Sequence, residues 1–518
     1  VYPTSLGAEH MRSEVAMPSF MRMYPQLLRE QGYYCTNNSK EDYNLTKPAG
    51  VWDESSGKAH YKNRAPGQPF FAIFNLTTTH ESQIRARPHT LVHDPAKAPV
   101  PAYHPDTPEV RHDWAQYYDK ITVMDAQAGR ILEELETSGL AEDTIVFFYG
   151  DHGSGMPRSK RWPYDSGLHV PLIVRFPDKF RHLAPPEYRP GSTSDRLVAF
   201  VDLAPTLLSL VGVEPPEWMH GRAFLGRHVA PPAKYLYGFR GRMDERLDMV
   251  RSVGNGRYVY VRNYMPQLIY GQHVGYMFET PTTQVWKRLY DEGKLQPPKT
   301  YFWEPKPSEE LYDLQTDPDE VVNLVESPKP EHRTALAELR AAHRAHMLST
   351  RDVGLLGEPE MHRRAAACGK TIYEMAQSPR CFPVEAILDM ADVATRRDAG
   401  AMPRLLEGLK AEDSAVRYWA VIGVWVRGRQ AVAEHRDALR AALEDPSPSV
   451  RAVAGWTLGI LGDDEDAAAA LGALKTLADP VATGAYTATL AVNAIDAMGP
   501  RAQGIYDDLR TLPRKDPN

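Results

Sequence analysis

The sequence predicts an α/β domain, followed by a small antiparallel sheet and then an all-α repeat region. Apolar runs rich in β-branched and aromatic residues, such as 144–149, end in polar loops and alternate with helical patterns, as in doubly wound α/β domains. Strand-like runs then follow one another closely between 234 and 262. From about residue 384 the chain becomes rich in Ala, Leu, Asp and Arg and repeats itself.

The first part of the chain alternates between the two periodicities. The expected helices are 18–31, 113–138 and 201–211, and the expected strands are 68–76, 144–149, 170–176 and 195–200. Helix 113–138 is the clearest, because its apolar residues from Trp114 to Leu135 form one stripe and Gly139 ends it. We expect this stripe to face the core.

The repeat region has a period of 34 residues. Asp413-Ser-Ala-Val416-Arg417 recurs as Pro448-Ser-Val450-Arg451, with Ala three residues after each Arg, and a weaker copy covers 479–499. Helix pairs of this kind resemble HEAT repeats, which stack into a solenoid and usually offer a binding surface. The region is therefore expected either to bind a protein partner or to pack as a cap on the preceding domain.

Bulk properties exclude some functions. The 518 residues include 60 Lys plus Arg and 67 Asp plus Glu, a net charge of −7, so nothing favours a nucleic-acid surface. No run of about 18 apolar residues predicts a membrane span, and no signal peptide is visible. The three cysteines match no zinc spacing and are too few for a disulfide framework.

Polar chemistry begins where strand 144–149 ends. Gly150-Asp151-His152-Gly153 places a carboxylate beside an imidazole on a glycine-flanked turn, and ligands bind beyond the carboxyl ends of strands in open α/β sheets. A loop with several cations, including Lys160 and Arg161, follows before strand 170–176. Metal ligands beside cations suit a site that holds a metal ion together with a tetrahedral oxyanion.

This stretch resembles the second signature of the sulfatases, within the alkaline-phosphatase superfamily. In that family an Asp-Asn or Asp-His pair binds the metal, and a lysine four residues before Tyr-Glu/Asp-x-Gly binds the sulfate. Here Lys160 precedes Tyr164-Asp165-Ser166-Gly167 by that spacing, and Val170-Pro171 closes the motif. The segment from Glu309 to Leu324 also resembles the one that ends the family's C-terminal subdomain.

The resemblance implies a role for each candidate site residue. Lys40 falls on a family lysine that contacts the nucleophile and the sulfate, and His80 on a histidine that serves as general acid. The implied catalytic residues are thus His80, Lys160 and Lys40, the substrate-binding residues Asp42 and Arg161, and the metal ligands Asp151 and His152. Asp42 replaces a histidine of the commoner pattern, so either Asp42 contacts a sugar hydroxyl or another group takes the role of that histidine.

Calcium (Ca²⁺) is the implied metal, with Mn²⁺ or Zn²⁺ as alternatives because an imidazole is a softer ligand than an amide. The family nucleophile is a formylglycine made from Cys or Ser in a Cys/Ser-x-Pro-x-Arg motif. No cysteine here is followed by both that Pro and that Arg. We therefore expect a sulfatase chain that lacks its first strand, half its metal ligands and its nucleophile, and that is inactive as printed.

The resulting domain prediction has four parts. Residues 1–235 form the α/β catalytic domain, 236–352 the C-terminal subdomain, 353–383 a linker and 384–518 the HEAT-like repeats. The implied fold is the alkaline-phosphatase-like sandwich with a mixed central sheet. The predicted function is hydrolysis of a sulfuric ester or sulfamate on a sulfated saccharide, in a secreted or periplasmic protein. The alternatives are a phosphodiester or phosphonate ester hydrolase of the same superfamily and a non-catalytic binding module.

Overall fold

A computed structural model describes residues 1–513 and confirms the predicted fold class, an α/β part followed by a helical repeat. The strands are β1 (Tyr34–Asn38), β2 (Glu54–Ser55), β3 (Phe70–Phe74), β4 (Val146–Tyr149), β5 (Leu172–Arg175), β6 (Leu236–Arg240), β7 (Val250–Gly254), β8 (Tyr258–Asn263) and β9 (Glu309–Asp313). The α/β part contains both strand orientations in two sheets: β1, β2 and β3 form a parallel sheet, and β4 and β5 form an antiparallel pair.

The α-helices of the first 350 residues are α1 (Pro3–Leu6), α2 (Tyr24–Glu30), α3 (Glu81–Ile84), α4 (Pro108–Thr137), α5 (Asp165–Leu168), α6 (Leu203–Leu210), α7 (Gly275–Phe278), α8 (Pro281–Asp291) and α9 (Pro330–Thr350). Those that follow are α10 (Glu358–Cys368), α11 (Ile372–Ala376), α12 (Val384–Thr395), α13 (Met402–Gly408), α14 (Ser414–Val426), α15 (Arg429–Glu434), α16 (Arg436–Ala442), α17 (Pro448–Leu461), α18 (Asp464–Leu477), α19 (Pro480–Thr483), α20 (Ala485–Met498) and α21 (Tyr506–Arg510). Short 3₁₀ helices occur at Tyr61–Asn63, Thr77–Thr79, Pro95–Lys97, Ala141–Asp143, Asp178–Leu183, Phe200–Asp202, Tyr301–Trp303, Val353–Leu355, Ala399–Ala401 and Gly499–Ile505.

The α/β part places the carboxyl ends of β1 and β3 side by side. The two strands are parallel neighbours, with Cys35 opposite Phe71, and β2 lies on the other side of β1. Strands β4 and β5 pair in antiparallel register, with Phe147 opposite Val174. The predicted strands at 68–76, 144–149 and 170–176 are confirmed.

The predicted strand at 195–200 is wrong. The backbone N–H of Ala199 donates to the carboxylate of Asp202 at 2.9 Å, and that carboxylate also accepts from the backbone N–H of Arg222 at 2.7 Å. The segment therefore leads into a capped 3₁₀ turn at Phe200–Asp202 and forms no strand.

Helix α4 begins at Pro108, after Thr107 caps it by accepting from the backbone N–H of Val110. Trp114 is buried against Ile84 and Met156, as the apolar stripe predicted. Leu132, from the same stripe, has 44% of its surface exposed, so the stripe is buried only in part.

The C-terminal subdomain is an antiparallel meander in the order β6-β7-β8-β9. Helix α9 covers one face, where Leu336 and Leu339 pack with Tyr260. An aromatic cluster that includes Trp286 and Phe302 packs with Val261 of β8. The sheet is therefore buried on both sides.

The helical repeat packs directly on the α/β part. One continuous hydrophobic cluster contains Leu6 and Val15 near the start of the chain together with Trp419 and Ile422 of α14. The indole N–H of Trp419 donates to the backbone oxygen of Leu355 at 2.8 Å. The two parts thus share a core, which agrees with the packing-cap alternative; a protein partner for the repeat stays a prediction.

Two further features concern the whole molecule. Cys368 and Cys381 form a disulfide, which the spacing of the cysteines had not predicted, and Cys35 is a buried thiol. Within residues 1–513, no helix is both long and apolar enough to cross a membrane.

Candidate active site

The site lies where β1, β3 and β4 end. Lys40 follows β1, His80 follows β3 through the turn Thr77–Thr79, and Asp151 and His152 directly follow β4. The ammonium Nζ of Lys40 lies 3.4 Å from Oδ2 of Asp151, although the two residues are 111 positions apart. The fold therefore brings together side chains that the sequence separates widely.

The loop between β4 and β5 adds the second lysine. Nζ of Lys160 lies 3.4 Å from Nε2 of His80, which links this loop to the end of β3. The turn that starts the loop needs a glycine, since a Cβ on Gly153 would lie 1.9 Å from the backbone oxygen of Ser166. Its N–H donates instead to the oxygen of Gly167 at 2.9 Å. This contact closes the loop around Lys160.

The imidazole of His80 presents a donor to the site. Its Nδ1 lies 3.3 Å from the backbone N–H of Ser82 and 2.9 Å from the Ser82 hydroxyl. A neutral ring whose Nδ1 accepts from that N–H carries its proton on Nε2. Burial lowers the pKa of His80, and the positive charges of Lys160 and Lys40 lower it further. Near neutral pH, Nε2–H and the Lys160 ammonium are therefore two adjacent donors that cannot satisfy each other. An oxyanion placed beside them would accept from both.

Lys160 itself is partly buried. Burial lowers its pKa, while the carboxylate of Glu81 opposes that shift. Oε2 of Glu81 lies 3.2 Å from Nζ of Lys160, so the ammonium has a fixed counter-charge on its inner side. The Lys160 side chain is 18% exposed, and its ammonium also lies 3.4 Å from Nε2 of His80.

The Asp151–His152 pair has the donors that a metal ion needs, but it supplies only two of them. Nδ1 of His152 contacts the backbone oxygen of Gly153 at 2.7 Å, which leaves Nε2 as the atom available to a metal. Burial raises the pKa of Asp151, but His152 and Lys40 outweigh it and hold that pKa below its ordinary value. In the described part of the chain, no group of three or more His, Cys, Asp or Glu side chains is placed to hold a metal ion.

The two predicted substrate-binding residues have different surroundings. The side chain of Asp42 is 77% exposed and lies 3.6 Å from Nζ of Lys40, at the rim of the site. The guanidinium of Arg161 is buried and pairs with Glu81 at 3.0 Å and with Asp244 at 3.4 Å. Six of the seven predicted residues thus line one site, whereas Arg161 lies behind it, and its contact with substrate stays a prediction.

Three neighbours of the site were missed by sequence reasoning. Glu81 joins Lys160 to Arg161, and Asp244 holds Arg161 from the other side. Tyr276 of α7 stands beside His80, with the two ring centroids 6.2 Å apart, and the guanidinium of Arg85 covers one face of the tyrosine at 4.1 Å. Of the three, only Glu81 gave a sequence signal, as a charged neighbour of His80.

The chain matches known families in two regions. A family model described as Sulfatase matches residues 9–213. Residues 9–213 are a sulfatase domain. A second model, described as HEAT repeats, matches residues 386–491 and confirms the predicted helical repeat.

Individual sulfatases are similar over part of their length. An ulvan-active sulfatase of Formosa agariphila is 40% identical over 391 residues, which cover 66% of this chain and 64% of that protein. Human N-sulphoglucosamine sulphohydrolase is 26% identical over 307 residues, or 56% of this chain and 57% of that protein. The chain therefore spans less than two thirds of the length of either relative.

A crystal structure of a sulfatase from Bacteroides thetaiotaomicron overlaps with a TM-score of 0.46 at 19% identity, covering 68% of this chain and 80% of that one.

Proposed function

We propose that this sulfatase domain hydrolyses a sulfuric ester or a sulfamate on a sulfated carbohydrate. The observation that carries the proposal is the pair of donors, Nε2 of His80 and Nζ of Lys160, 3.4 Å apart at the carboxyl ends of the strands. A saccharide is supported by the relative named for its action on ulvan and by the one named for sulphoglucosamine.

The proposed roles follow from the charge and placement of each group. Lys160 and Lys40 would bind the non-bridging sulfate oxygens, because ammonium groups stabilise the negative charge that grows there during S–O or S–N cleavage. His80 would pass the proton on Nε2 to the leaving oxygen or nitrogen as that bond breaks. Burial and the charges of Lys160 and Lys40 lower the pKa of His80, and a bound sulfate group would oppose that shift and favour the protonated ring that can donate.

Asp151 and His152 would hold a divalent cation together with ligands other than the described residues. We propose calcium first and Mn²⁺ or Zn²⁺ as alternatives, since one ligand is an imidazole. When bound, such an ion would neutralise sulfate oxygens and lower the pKa of a hydroxyl nucleophile. In the family that nucleophile is formylglycine.

The saccharide is proposed to lie against Asp42 and Tyr276. Asp42 is exposed at the rim and can accept hydrogen bonds from sugar hydroxyls. Tyr276 is 36% exposed, and because Arg85 covers one face of its ring, a sugar would pack on the other face. Asp42 lies beside Lys40, and Tyr276 lies beside His80. Export to the periplasm or the medium is proposed from the family.

The test is sulfate release by the protein as its host makes it. Sulfated oligosaccharides are offered alongside a phosphodiester and a phosphonate ester, and the Lys160→Ala variant serves as the control. We expect sulfate release and a loss of about 100-fold or more in kcat for the variant. Preferred cleavage of the phosphorus esters would favour the superfamily alternative, and binding without turnover would favour a binding module.

The 518-residue chain by itself is expected to release no sulfate, because it contains no Cys/Ser-x-Pro-x-Arg motif for a formylglycine. Turnover by this chain at the rate of an intact sulfatase would contradict that expectation.

A further inference from the structure

Glu81 is a buried carboxylate beside the site for which the proposed reaction has no role. It is the first residue of α3, directly after His80, and its side chain is fully buried. Its Oε1 and Oε2 lie 3.0 and 3.1 Å from Nη1 of Arg161, and Oε2 also lies 3.2 Å from Nζ of Lys160. One carboxylate thus pairs with two consecutive cations of the β4–β5 loop.

Burying the Glu81 carboxylate costs free energy. A buried carboxylate without partners loses the solvation it has in water, so its charge must be matched by cations at good geometry. Lys160 and Arg161 belong to a run of turns without helix or strand, where the backbone alone does not orient long side chains. The carboxylate supplies that orientation from the opposite element.

Arg161 also contacts two residues besides Glu81, namely Asp244 and Arg240. Its Nη2 lies 3.4 Å from Oδ2 of Asp244, and its backbone oxygen accepts from Nη1 of Arg240 at 2.5 Å. Arg161 therefore anchors Glu81 as much as Glu81 anchors Arg161. The free end of the network is Lys160, whose ammonium reaches Nε2 of His80.

We propose that Glu81 is a positioning residue of the active site, which holds the Lys160 ammonium beside His80 by pairing with Lys160 and Arg161. The proposal rests on the function proposed above. Lys160 binds the sulfate group directly, whereas Glu81 acts through Lys160 and touches neither substrate nor metal.

The packing around Glu81 supports a fixed position. A Cβ on Gly155 would lie 2.6 Å from Cβ and 2.7 Å from Cα of Glu81. The β4–β5 loop therefore presses its backbone directly against this residue, and no side chain at position 155 fits without displacing one of them. The ion pairs and the packing against Gly155 therefore both hold the Glu81 carboxylate beside Lys160.

Glu81 also supports the charge of Lys160. Burial lowers the pKa of Lys160, and Glu81 is the largest influence that raises it. Removing the carboxylate would leave a buried amine that releases its proton more readily. A purely structural ion pair elsewhere in the protein would have no such effect on Lys160.

The test compares Glu81→Gln with a matched control, Glu360→Gln. Glu360 is also buried and pairs with two cations, Arg363 and Arg364, but it lies on α10. The full chain is labelled with ¹³C at Cε of lysine and titrated by NMR. The signal of Lys160 is identified as the one that is absent from the Lys160→Arg variant. We expect the Lys160 midpoint to move to lower pH in Glu81→Gln and to stay at the wild-type value in Glu360→Gln.

The second readout uses the active protein from its host. In Glu81→Gln we expect kcat/KM for the sulfated saccharide to fall by up to about 100-fold, with the basic limb of its pH profile displaced to lower pH. Glu81→Asp keeps the charge on a shorter stem, so it should restore part of the rate and part of the titration shift. If Glu81→Gln does not fold, Glu81→Asp alone carries both measurements.

The proposal would be overturned if a Glu81 variant lost as much stability as Glu360→Gln while its Lys160 titration midpoint stayed at the wild-type value. Glu81 would then be a structural residue. Failure of the proposed function looks different, because the Lys160 midpoint would still move while the wild-type protein cleaved no sulfate ester.

Discussion

Replacing Trp419 by alanine tests whether the helical repeat and the C-terminal subdomain fold as one unit. The side chain is 1% exposed, packs edge-on against Tyr264 with ring centroids 5.9 Å apart, and donates from its indole N–H to Leu355. Tyr264 follows β8 and Leu355 precedes α10, so both partners lie outside the repeat that contains Trp419. The substitution therefore removes contacts that join the two parts.

The expected loss is large. Truncation of a buried Trp to Ala destabilises a protein by about 3–5 kcal/mol, and here the oxygen of Leu355 also loses its donor. Trp419→Phe keeps most of the packing and loses the hydrogen bond, so it should cost only about 1 kcal/mol from that bond plus the missing volume. Against a total stability of about 5–15 kcal/mol, the two variants should be easily distinguished in urea.

The assay is urea unfolding combined with hydrogen exchange read by mass spectrometry. We expect peptides from α14 and peptides from β7 and β8 to lose protection together in Trp419→Ala, with one shared transition. If only the peptides of the repeat lost protection while β7 and β8 kept their wild-type protection, the shared core would be refuted.

Two further predictions concern single residues. His104 is buried, with Nε2 3.0 Å from the oxygen of Pro157, and burial lowers its pKa from 6.5 to about 3. Between these two pH values the unfolded chain binds a proton that the folded chain excludes. The free energy of unfolding is therefore fully present above about pH 6.5 and falls between pH 6.5 and 3 by up to about 1.4 kcal/mol per pH unit. His104→Gln should reduce that slope in urea unfolding at pH 6 and pH 4.5, and an unchanged slope would contradict the assignment. Tyr276→Ala should weaken binding of a sulfated saccharide about three- to tenfold in calorimetry while Tyr276→Phe keeps it, and equal losses in both variants would show that the ring does not contact the sugar.

The sequence predicted most of the site because its residues follow strands. His80 and Asp151 follow apolar runs, whereas Lys40 follows a more polar stretch and was located by the family resemblance. The ends of neighbouring strands meet at one edge of a fold. The spacing from Lys160 to the Tyr164–Gly167 turn then located the second lysine on the loop. The structure brings these residues together, while their chemical roles stay proposals.

Long-range pairing is what the sequence could not show. Glu81 pairs with Arg161, which is 80 residues away, and no local pattern distinguishes such a carboxylate from an acid in the first turn of a helix. Asp244 lies in a turn with a positive φ of 47°, where an aspartate is unremarkable. For the same reason, 195–200 was predicted as a strand, since the capping carboxylate of Asp202 was not foreseen.

Binding of a sulfated sugar by this chain tests the central claim most directly. A sulfated monosaccharide and its unsulfated counterpart are titrated into the wild type and into Lys160→Ala by calorimetry. We predict saturable binding of the sulfated sugar alone, weakened about tenfold or more in the variant, because a charge-assisted hydrogen bond is lost. Equal binding of the two sugars, or binding that Lys160→Ala leaves unchanged, would contradict a sulfate site at the ends of β1, β3 and β4.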